Sequence, residues 1–218
     1  AIALGLAAEG AAVAITARGK DELERVADEI NRLKAVVLTI PADVTDERQV
    51  EQLFKQVVDR FGRLDILVNN AGAFDGGPID ELSVEAWDKV IAVNLRAPFL
   101  CTRHAFRLMK QHKRGRIINI GSISAQRVRP HSAPYSASKH GLWGLTQVTA
   151  LEGREYGISC CCLNPGNVLV ERRQASGKLE DDEPMMTPAE IAETAVLMAT
   201  LPPHVNMLEA IVLPVGQL

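Results

Sequence analysis

The chain has 218 residues, of which 47% are hydrophobic, and its formal net charge is −3. This size and composition suit one globular domain, spanning residues 1–218, with a substantial core. The small negative charge gives no electrostatic reason to expect a nucleic acid or an anionic membrane surface as partner, and no apolar run is long enough to span a bilayer.

The chain opens on an apolar stretch, 1–8, which we interpret as a helix fragment ending near Gly10, because it lacks the basic start and cleavage pattern of a secretory signal. Beyond it, short apolar runs alternate with helix-like segments throughout. The runs are predicted strands at 12–16, 36–40, 65–69, 116–120, 158–164 and 210–213. The segments between them are predicted helices at 21–33, 46–61, 84–112, 134–156 and 188–200.

Residues that start or stop helices lie at several of these boundaries. Three glycines follow helix-like segments and are predicted to end them: Gly62, Gly115 and Gly157. Thr187 and Glu190 have the spacing of a capping box, with Pro188 at the first helical position. The last predicted helix therefore has the best-defined beginning.

Most of the predicted strands are continuous runs of Val, Ile, Leu and Ala, as expected for strands covered on both faces. Their alternation with helices predicts an α/β fold, a Rossmann-like doubly wound parallel sheet in three layers. Ligands of such sheets bind at the carboxyl ends of the strands. A dinucleotide-binding fold normally opens on a strand and a glycine-rich turn. Since the chain shows neither, we expect both to be missing before Ala1, and no phosphate-binding residue can be named.

The chain contains four cysteines, Cys101 and the consecutive Cys160, Cys161 and Cys162. No pair has the spacing of zinc ligands, and neighbouring strand residues point to opposite faces, so the triplet cannot converge on one metal. We therefore expect small hydrophobic side chains in a buried strand and no bound metal. Unpaired thiols also indicate a reducing, cytoplasmic setting.

Small and amide residues follow two of the predicted strands. Asn69-Asn70-Ala71-Gly72 ends the third strand, where such residues allow close backbone approach and offer fixed hydrogen bonds. The same tetrapeptide also suits an ordinary turn. Pro165 and Gly166 follow the fifth strand and give a sharp exit that exposes backbone groups to a ligand.

Tyr135 and Lys139 are spaced i, i+4 at the start of a predicted helix, which puts both side chains on one face. A phenol is a poor base near neutrality, but a nearby ammonium stabilises the phenolate and lowers its pKa. The pair can then deliver or accept a proton at a substrate oxygen. The alternative, more common for this spacing alone, is a surface pair.

Two further polar residues lie where chemistry is expected. Ser122 follows the fourth strand, where its hydroxyl can donate to a carbonyl oxygen as negative charge develops, although it also suits a turn serine. Asn94 interrupts a helical pattern. It is either a satisfied buried amide or the mark of a local break that holds a water.

Taken together, these positions resemble those of the short-chain dehydrogenase/reductase family, in its compact single-domain branch. The resemblance covers nearly the whole chain. It rests on the order and spacing of Asp43-Val44, Asn69-Asn70-Ala71-Gly72, Asn94, Ser122, Tyr135-Ser136-Ala137-Ser138-Lys139 and Pro165-Gly166.

The resemblance implies a catalytic role for four residues. Tyr135 would be the general acid/base, and Lys139 would bind the nicotinamide ribose and lower the tyrosine pKa. Ser122 would hold the substrate oxygen. Asn94 would keep a water that links Lys139 to solvent for proton relay.

The resemblance also implies residues that bind the cofactor. Asp43 would contact the adenine amine, with the Val44 backbone beside it. The remaining matching residues would line the adenosine ribose and the nicotinamide; they are Asn70, Ala71 and Gly72 for the ribose, Pro165 and Gly166 for the nicotinamide, and Tyr135 and Lys139 where the two sites meet.

The end of the second strand of the fold, here 12–16, predicts NADP rather than NAD as cofactor, with NAD as the alternative. Ala17 stands where the family places an acidic residue, so nothing repels a 2′-phosphate. Arg18 can offer paired donors to that phosphate, and Lys20 adds a second cation. The alternative is that Arg18 is solvated or stacks on adenine, which would suit either cofactor.

Several features bear on the substrate without identifying it. Val170 stands where the family often has a threonine that meets the nicotinamide carboxamide, and the short polar segment 167–186 would form the substrate lid. The stretch 200–206 resembles the branch that oxidises hydroxy acids or serine-like substrates. Three basic residues between Ser122 and Tyr135 could attract a carboxylate, or simply form a solvated loop: Arg127, Arg129 and His131.

Residues and resemblance together predict an NAD(P)-dependent oxidoreductase that transfers a hydride between nicotinamide and a small-molecule carbonyl or secondary alcohol. The alternative is a non-catalytic NAD(P)-binding regulatory or scaffold protein on the same fold, since fold does not fix function. An inactive fragment is a third reading, should the expected first strand be missing. The joint presence of Ser122, Tyr135 and Lys139 favours the enzyme. The resemblance also implies a homodimer or homotetramer.

Overall fold

The computed structural model describes residues 1–170 and 184–217. Its α-helices are α1 Ile2–Ala8, α2 Lys20–Arg32, α3 Glu47–Phe61, α4 Val84–Ile91, α5 Ala97–His112, α6 Ala133–Gly153 and α7 Pro188–Thr200. Its strands are β1 Val13–Ala17, β2 Val37–Pro41, β3 Ile66–Asn69, β4 Gly115–Ile120, β5 Ile158–Pro165 and β6 Glu209–Val212. A π-helical turn, Ala92–Arg96, joins α4 to α5, and a short 3₁₀ helix, Ile123–Ala125, follows β4.

Every strand pair in the described residues is parallel. The strands form two hydrogen-bonded sheets, β1-β2 and β3-β4-β5-β6. The register places Asn69 of β3 beside Asn119 of β4, and Asn119 beside Cys162 of β5. Because the strands are parallel, their carboxyl ends meet along one edge, and the predicted site residues follow those ends.

Helices cover both faces of the larger sheet. Ile117 and Cys160 point to one face, where α3 and α5 complete a core. Their neighbours Ile118 and Cys161 point to the other face, against α7. This is the three-layer, Rossmann-like α/β architecture that the alternation of strands and helices predicts.

The cysteines are buried, as the sequence predicts. All four cysteines are free and buried, and burial raises the pKa of Cys101 to about 12 and that of Cys162 to about 11. These thiols are therefore packing groups rather than nucleophiles. Among residues 1–170 and 184–217, none of the helices has both the length and the apolar character that a membrane span needs.

Helix boundaries are confirmed in some places and corrected in others. Gly62 ends α3 in the left-handed conformation, and the capping box of Thr187 and Glu190 starts α7. Gly115, however, is the first residue of β4, and Lys113 takes the left-handed position after α5 with φ of 49°. Packing, rather than the end of a helix, requires a glycine at position 115, because a Cβ there would overlap the side chain of Met109.

Candidate active site

Tyr135 and Lys139 lie in the first turns of α6. Pro134 occupies the first turn, where its missing N–H leaves no helical bond unmade, and the Ser132 hydroxyl donates to the Arg129 carbonyl at 2.6 Å. The Lys139 Nζ atom is 5.6 Å from the centroid of the Tyr135 ring. The predicted pairing on one helix face is confirmed. The alternative of a surface pair is wrong for Lys139, which is 5% exposed.

The Lys139 ammonium is held by the end of β4. Nζ donates a hydrogen bond of 2.8 Å to the carbonyl oxygen of Ile120, two residues before Ser122. Burial lowers the pKa of Lys139 to about 8, because removing water disfavours the charged form. The group therefore carries a positive charge near neutral pH beside the tyrosine ring, and can give up its proton within an accessible pH range.

Ser122 is buried at the end of β4, and the 3₁₀ helix that follows it packs against α6. Its Oγ accepts a hydrogen bond of 3.1 Å from the Ser124 backbone N–H. As an acceptor, this hydroxyl therefore acts as the turn serine of the alternative interpretation. In the described part of the chain no acceptor lies within reach of its own proton, which suits a donor to a substrate oxygen.

Asn94 is the middle residue of the π-helical turn and is fully buried. Its Oδ1 accepts from the Ala73 N–H at 2.7 Å, while Nδ2 donates to the Ala73 carbonyl and to the Ser138 hydroxyl at 2.9 and 3.1 Å. Of the two interpretations of Asn94, the satisfied buried amide is confirmed. The helix is also locally irregular at this residue, as a π-helical turn. The role of Asn94 in holding a water stays a prediction.

Ser138 is a residue that the analysis of the sequence missed. It is fully buried, accepts from Asn94 and donates to the Tyr135 carbonyl at 2.7 Å. It therefore joins the π-helical turn to the first turn of α6. The only signal for it was its position within the motif that contains Tyr135 and Lys139.

The last residue of β3 is buried, whereas the segment that follows it is exposed. Asn69 donates through Nδ2 to Asn119 Oδ1 at 2.8 Å, inside a polar network that continues to Thr146 of α6. Asn70, Ala71 and Gly72 are exposed. The Asn94 side chain forms hydrogen bonds with the N–H and the carbonyl of Ala73, the residue after Gly72. These bonds hold the exposed backbone at the carboxyl end of β3.

Asp43 and Arg18 follow β2 and β1 at one edge of the smaller sheet, where the Ala42 N–H donates to the Ala17 carbonyl at 3.0 Å. The Asp43 carboxylate accepts from the Thr45 hydroxyl and N–H at 2.7 and 2.9 Å. These bonds, helped by the charge of Arg18, lower the pKa of Asp43 below its usual value.

The Asp43 loop is tied to the helix that carries Asn94. Arg96 donates to the Thr45 carbonyl at 2.8 Å, so the end of β2 is fixed to the π-helical turn. Val44 is half-buried against the main core, whereas Arg18 is exposed. Arg18 is therefore available to a ligand.

Pro165 is the last residue of β5 and Gly166 follows it. Gln217, a second residue that the analysis of the sequence missed, lies against Gly166. The Gln217 Oε1 atom occupies the space that a Cβ on Gly166 would take, and it accepts from the Asn167 N–H at 2.7 Å. Gln217 is 50 residues away in sequence, so no local pattern indicates this contact. Of the expected lid, residues 171–183 lie outside the described residues.

The three basic residues expected near the substrate are exposed. Arg129 approaches the site most directly, with Nη2 at 3.5 Å from Asn167 Oδ1. His131 adopts a left-handed φ of 60°, and its carbonyl packs so close to Gly76 that a Cβ there would overlap it. Val170 is also exposed, at the end of the described segment.

Known proteins resemble this chain in sequence and in fold. The model of the family described as short chain dehydrogenase matches residues 1–181. A D-beta-hydroxybutyrate dehydrogenase of Rhizobium meliloti is 43% identical over 171 residues, which are 78% of this chain and 66% of the relative. The chain belongs to the short-chain dehydrogenase family.

Solved structures agree. An alcohol dehydrogenase from the archaeon Thermococcus sibiricus, complexed with 5-hydroxy-NADP, is 28% identical with a TM-score of 0.88, over 96% of this chain and 88% of the other. A metagenomic short-chain oxidoreductase in complex with NADP is 32% identical with a TM-score of 0.84, over 98% and 90%. The described fold is therefore shared almost throughout with these oxidoreductases.

Proposed function

We propose that the protein is an NAD(P)-dependent oxidoreductase that interconverts a carbonyl compound and its alcohol, with Tyr135 as general acid/base. The observation that carries the proposal is the buried Lys139 ammonium, 5.6 Å from the Tyr135 ring centroid and bonded to the strand end that leads into Ser122. Within residues 1–170 and 184–217 no carboxylate forms an ion pair with Lys139, and a buried lysine in such surroundings is costly for a fold to keep. A catalytic use explains why it is kept.

The chain's own groups can manage the proton of this reaction. In the reductive direction the Tyr135 hydroxyl donates its proton to the substrate oxygen, and the adjacent positive charge of Lys139 stabilises the phenolate left behind. The Ser122 hydroxyl donates a hydrogen bond to the same oxygen as negative charge develops there. Asn94 and Ser138 fix the helix turn that carries the tyrosine.

The described residues fit a nicotinamide dinucleotide, which when bound supplies or accepts the hydride. The exposed backbone at Asn70–Gly72 and the Tyr135–Lys139 pair offer donors to ribose hydroxyls, and at Gly72 a Cβ would meet nothing closer than 3.9 Å. In the part of the chain that the structure describes, the Asp43 carboxylate accepts hydrogen bonds from Thr45 alone, which leaves lone pairs for an adenine amine. Gln217 partly covers Gly166, so its side chain borders the proposed nicotinamide site.

We infer that NADP is the preferred cofactor. Ala17 and Arg18 are both exposed at the end of β1, where an acidic side chain would repel a 2′-phosphate and a guanidinium attracts it. Two of the similar solved structures are described as complexes with NADP or 5-hydroxy-NADP, which supports the same choice. A hydroxy acid is our candidate substrate, since a relative is named for one and Arg129 lies beside Asn167.

The test is a substrate panel with both reduced cofactors. Purified protein is mixed with NADPH or NADH and with ketones, aldehydes and 3-oxo acids, and oxidation of the cofactor is followed by absorbance. Cofactor binding is measured separately by titration calorimetry. Turnover with at least one carbonyl class supports the proposal. Binding of NADPH without turnover of any substrate would instead support a non-catalytic nucleotide-binding protein.

A further inference from the structure

Ser122 is joined to β5 and β6 by a row of hydrogen bonds that the proton chemistry does not use. Its backbone N–H donates to Asn164 Oδ1 at 3.0 Å. Asn164 is fully buried, and its Nδ2 donates to Glu209 Oε1 at 2.7 Å. Gln126, four residues after Ser122, donates to the same carboxylate oxygen at 2.7 Å. Both ends of the Ser122–Gln126 segment are therefore bound, directly or through one amide, to Glu209.

The chemistry of these groups fixes which way the Asn164 amide faces. An ionised carboxylate only accepts hydrogen bonds, so the NH₂ of Asn164 must point to Glu209. Its oxygen then points to the Ser122 N–H and to the Cys162 thiol, which donates at 3.3 Å. With the acceptor at Glu209 removed, the reversed amide would face the Ser122 N–H with another donor.

The backbone before Ser122 packs directly on this amide. A Cβ at Gly121 would overlap both Asn164 Oδ1 and Cys162 Sγ. There is consequently no side chain between the amide and the strand end to absorb a shift. A rotation or displacement of Asn164 must move residues 121 and 122 with it.

We propose that Glu209 is a positioning residue for the reaction: by orienting Asn164 it fixes the backbone of Ser122, and with it the place of the Ser122 hydroxyl relative to Tyr135 and Lys139. This inference rests on the proposed function. Glu209 itself contacts Asn164 and Gln126 and acts only through them. It stands at the start of β6, beside Cys162 of β5, so the sheet fixes the backbone that carries the carboxylate.

Three variants and one double variant test the proposal. Glu209→Gln keeps an oxygen that can accept from both amides, so kcat should stay within a few-fold of wild type. Glu209→Ala removes the acceptor and should lower kcat about tenfold to a hundredfold, the effect of one unsatisfied buried hydrogen bond, with the dissociation constant of NADPH unchanged. Asn164→Asp sets a second carboxylate against Glu209 and should lower kcat at least as much.

Rescue separates positioning from general damage. In the double variant Asn164→Asp/Glu209→Gln, the glutamine NH₂ can donate to the new carboxylate, so kcat should recover relative to Asn164→Asp. The single variant Asn164→Asp should also recover as pH falls, because protonation of one carboxylate restores a donor between the pair. Absence of both recoveries, or wild-type kcat in Glu209→Ala, would overturn the proposal.

Hydrogen exchange of the Ser122 amide, measured by NMR, gives a readout that needs no turnover. Glu209→Ala should speed this exchange by at least tenfold, and Glu209→Gln should leave it unchanged. Unchanged exchange in Glu209→Ala would overturn the positioning role even if activity fell. A wild-type protein that binds NADPH but turns over no carbonyl would overturn the proposed function instead, while the exchange result still decides whether Glu209 positions Ser122.

Discussion

The Lys139 ammonium lies 5.6 Å from the centroid of the Tyr135 ring, one helical turn along α6. A second pair of the same residue types exists at the surface, where Lys110 Nζ is 4.1 Å from the ring centroid of Tyr156. The two pairs differ in burial, since Lys110 is exposed whereas Lys139 is not. The surface pair therefore provides a matched control for variants of the buried one.

Replacing Tyr135 with phenylalanine should abolish most turnover and leave cofactor binding intact. The ring keeps its tilted packing on Phe74, at 5.2 Å between centroids, and only the proton donor is lost. Loss of a general acid typically lowers the rate about 10²–10⁴-fold. Steady-state kinetics and NADPH titration check this, with Tyr156→Phe as the control. Activity of Tyr135→Phe within a few-fold of wild type would remove the tyrosine from the mechanism.

The buried lysine should make the stability of the cofactor-free protein depend on pH. Its pKa is about 8 in the folded chain against an ordinary 10.5. Between these values the unfolded chain binds more protons, so the free energy of unfolding should rise as pH increases through this window, by about 3 kcal/mol in total. Denaturant titrations at several pH values measure it.

In Lys139→Met this rise should disappear, while Lys110→Met, at an exposed position, should keep it. The same Lys139→Met variant should bind NADPH more weakly and lose turnover, because in the proposed mechanism one ammonium serves both the ribose and the tyrosine. Parallel stability curves for wild type and Lys139→Met would contradict the lowered pKa. Unchanged NADPH affinity would contradict the ribose contact.

Arg18 should select NADP over NAD. Wild type should bind NADPH more tightly than NADH, and Arg18→Ala should weaken NADPH far more than NADH, since only NADPH carries the 2′-phosphate. Dissociation constants from titration calorimetry decide this, with Arg32→Ala at the exposed end of α2 as the control. Equal weakening of both cofactors would place Arg18 on the adenine ring, and tighter NADH binding by wild type would refute the preference.

Arg129 should contribute to recognition of an acidic substrate. Arg129→Ala should raise the Michaelis constant for a 3-oxo acid about tenfold, the loss of one charge-assisted hydrogen bond, and leave that for its neutral ester unchanged. Arg127→Ala, at a second exposed arginine of the same loop, serves as comparison. Equal effects on acid and ester would mean that the loop, rather than the charge, is responsible.

The fold could be predicted from the hydrophobic patterns of the helices and strands. The last helix has the predicted bounds 188–200 because its capping box and proline act locally. The pairing of Tyr135 with Lys139 follows from helix geometry alone. In contrast, the predicted helix 84–112 is divided by a π-helical turn. The sequence indicates a local break at Asn94 only as one of two interpretations, because an extra residue in a turn leaves the hydrophobic composition unchanged.

What could not be predicted depends on contacts between distant segments. Asn164 meets Glu209 across 45 residues, and Asn167 meets Gln217 across 50. Neither partner stands out by type or by neighbours along the chain. Gly115 was misassigned for the same reason, since the Met109 side chain that requires a glycine there comes from packing and not from a turn.

The π-helical turn at Ala92–Arg96 places one extra residue in the turn that joins α4 to α5. In a regular α-helix one extra residue would rotate everything that follows by about 100° around the helix axis. Five π-helical residues turn the chain about as far as four α-helical ones, so the turn absorbs that rotation. Leu100, Ala105 and Met109 of α5 consequently stay buried in the core. The phase of α5 is thus locked to the same turn that carries Asn94.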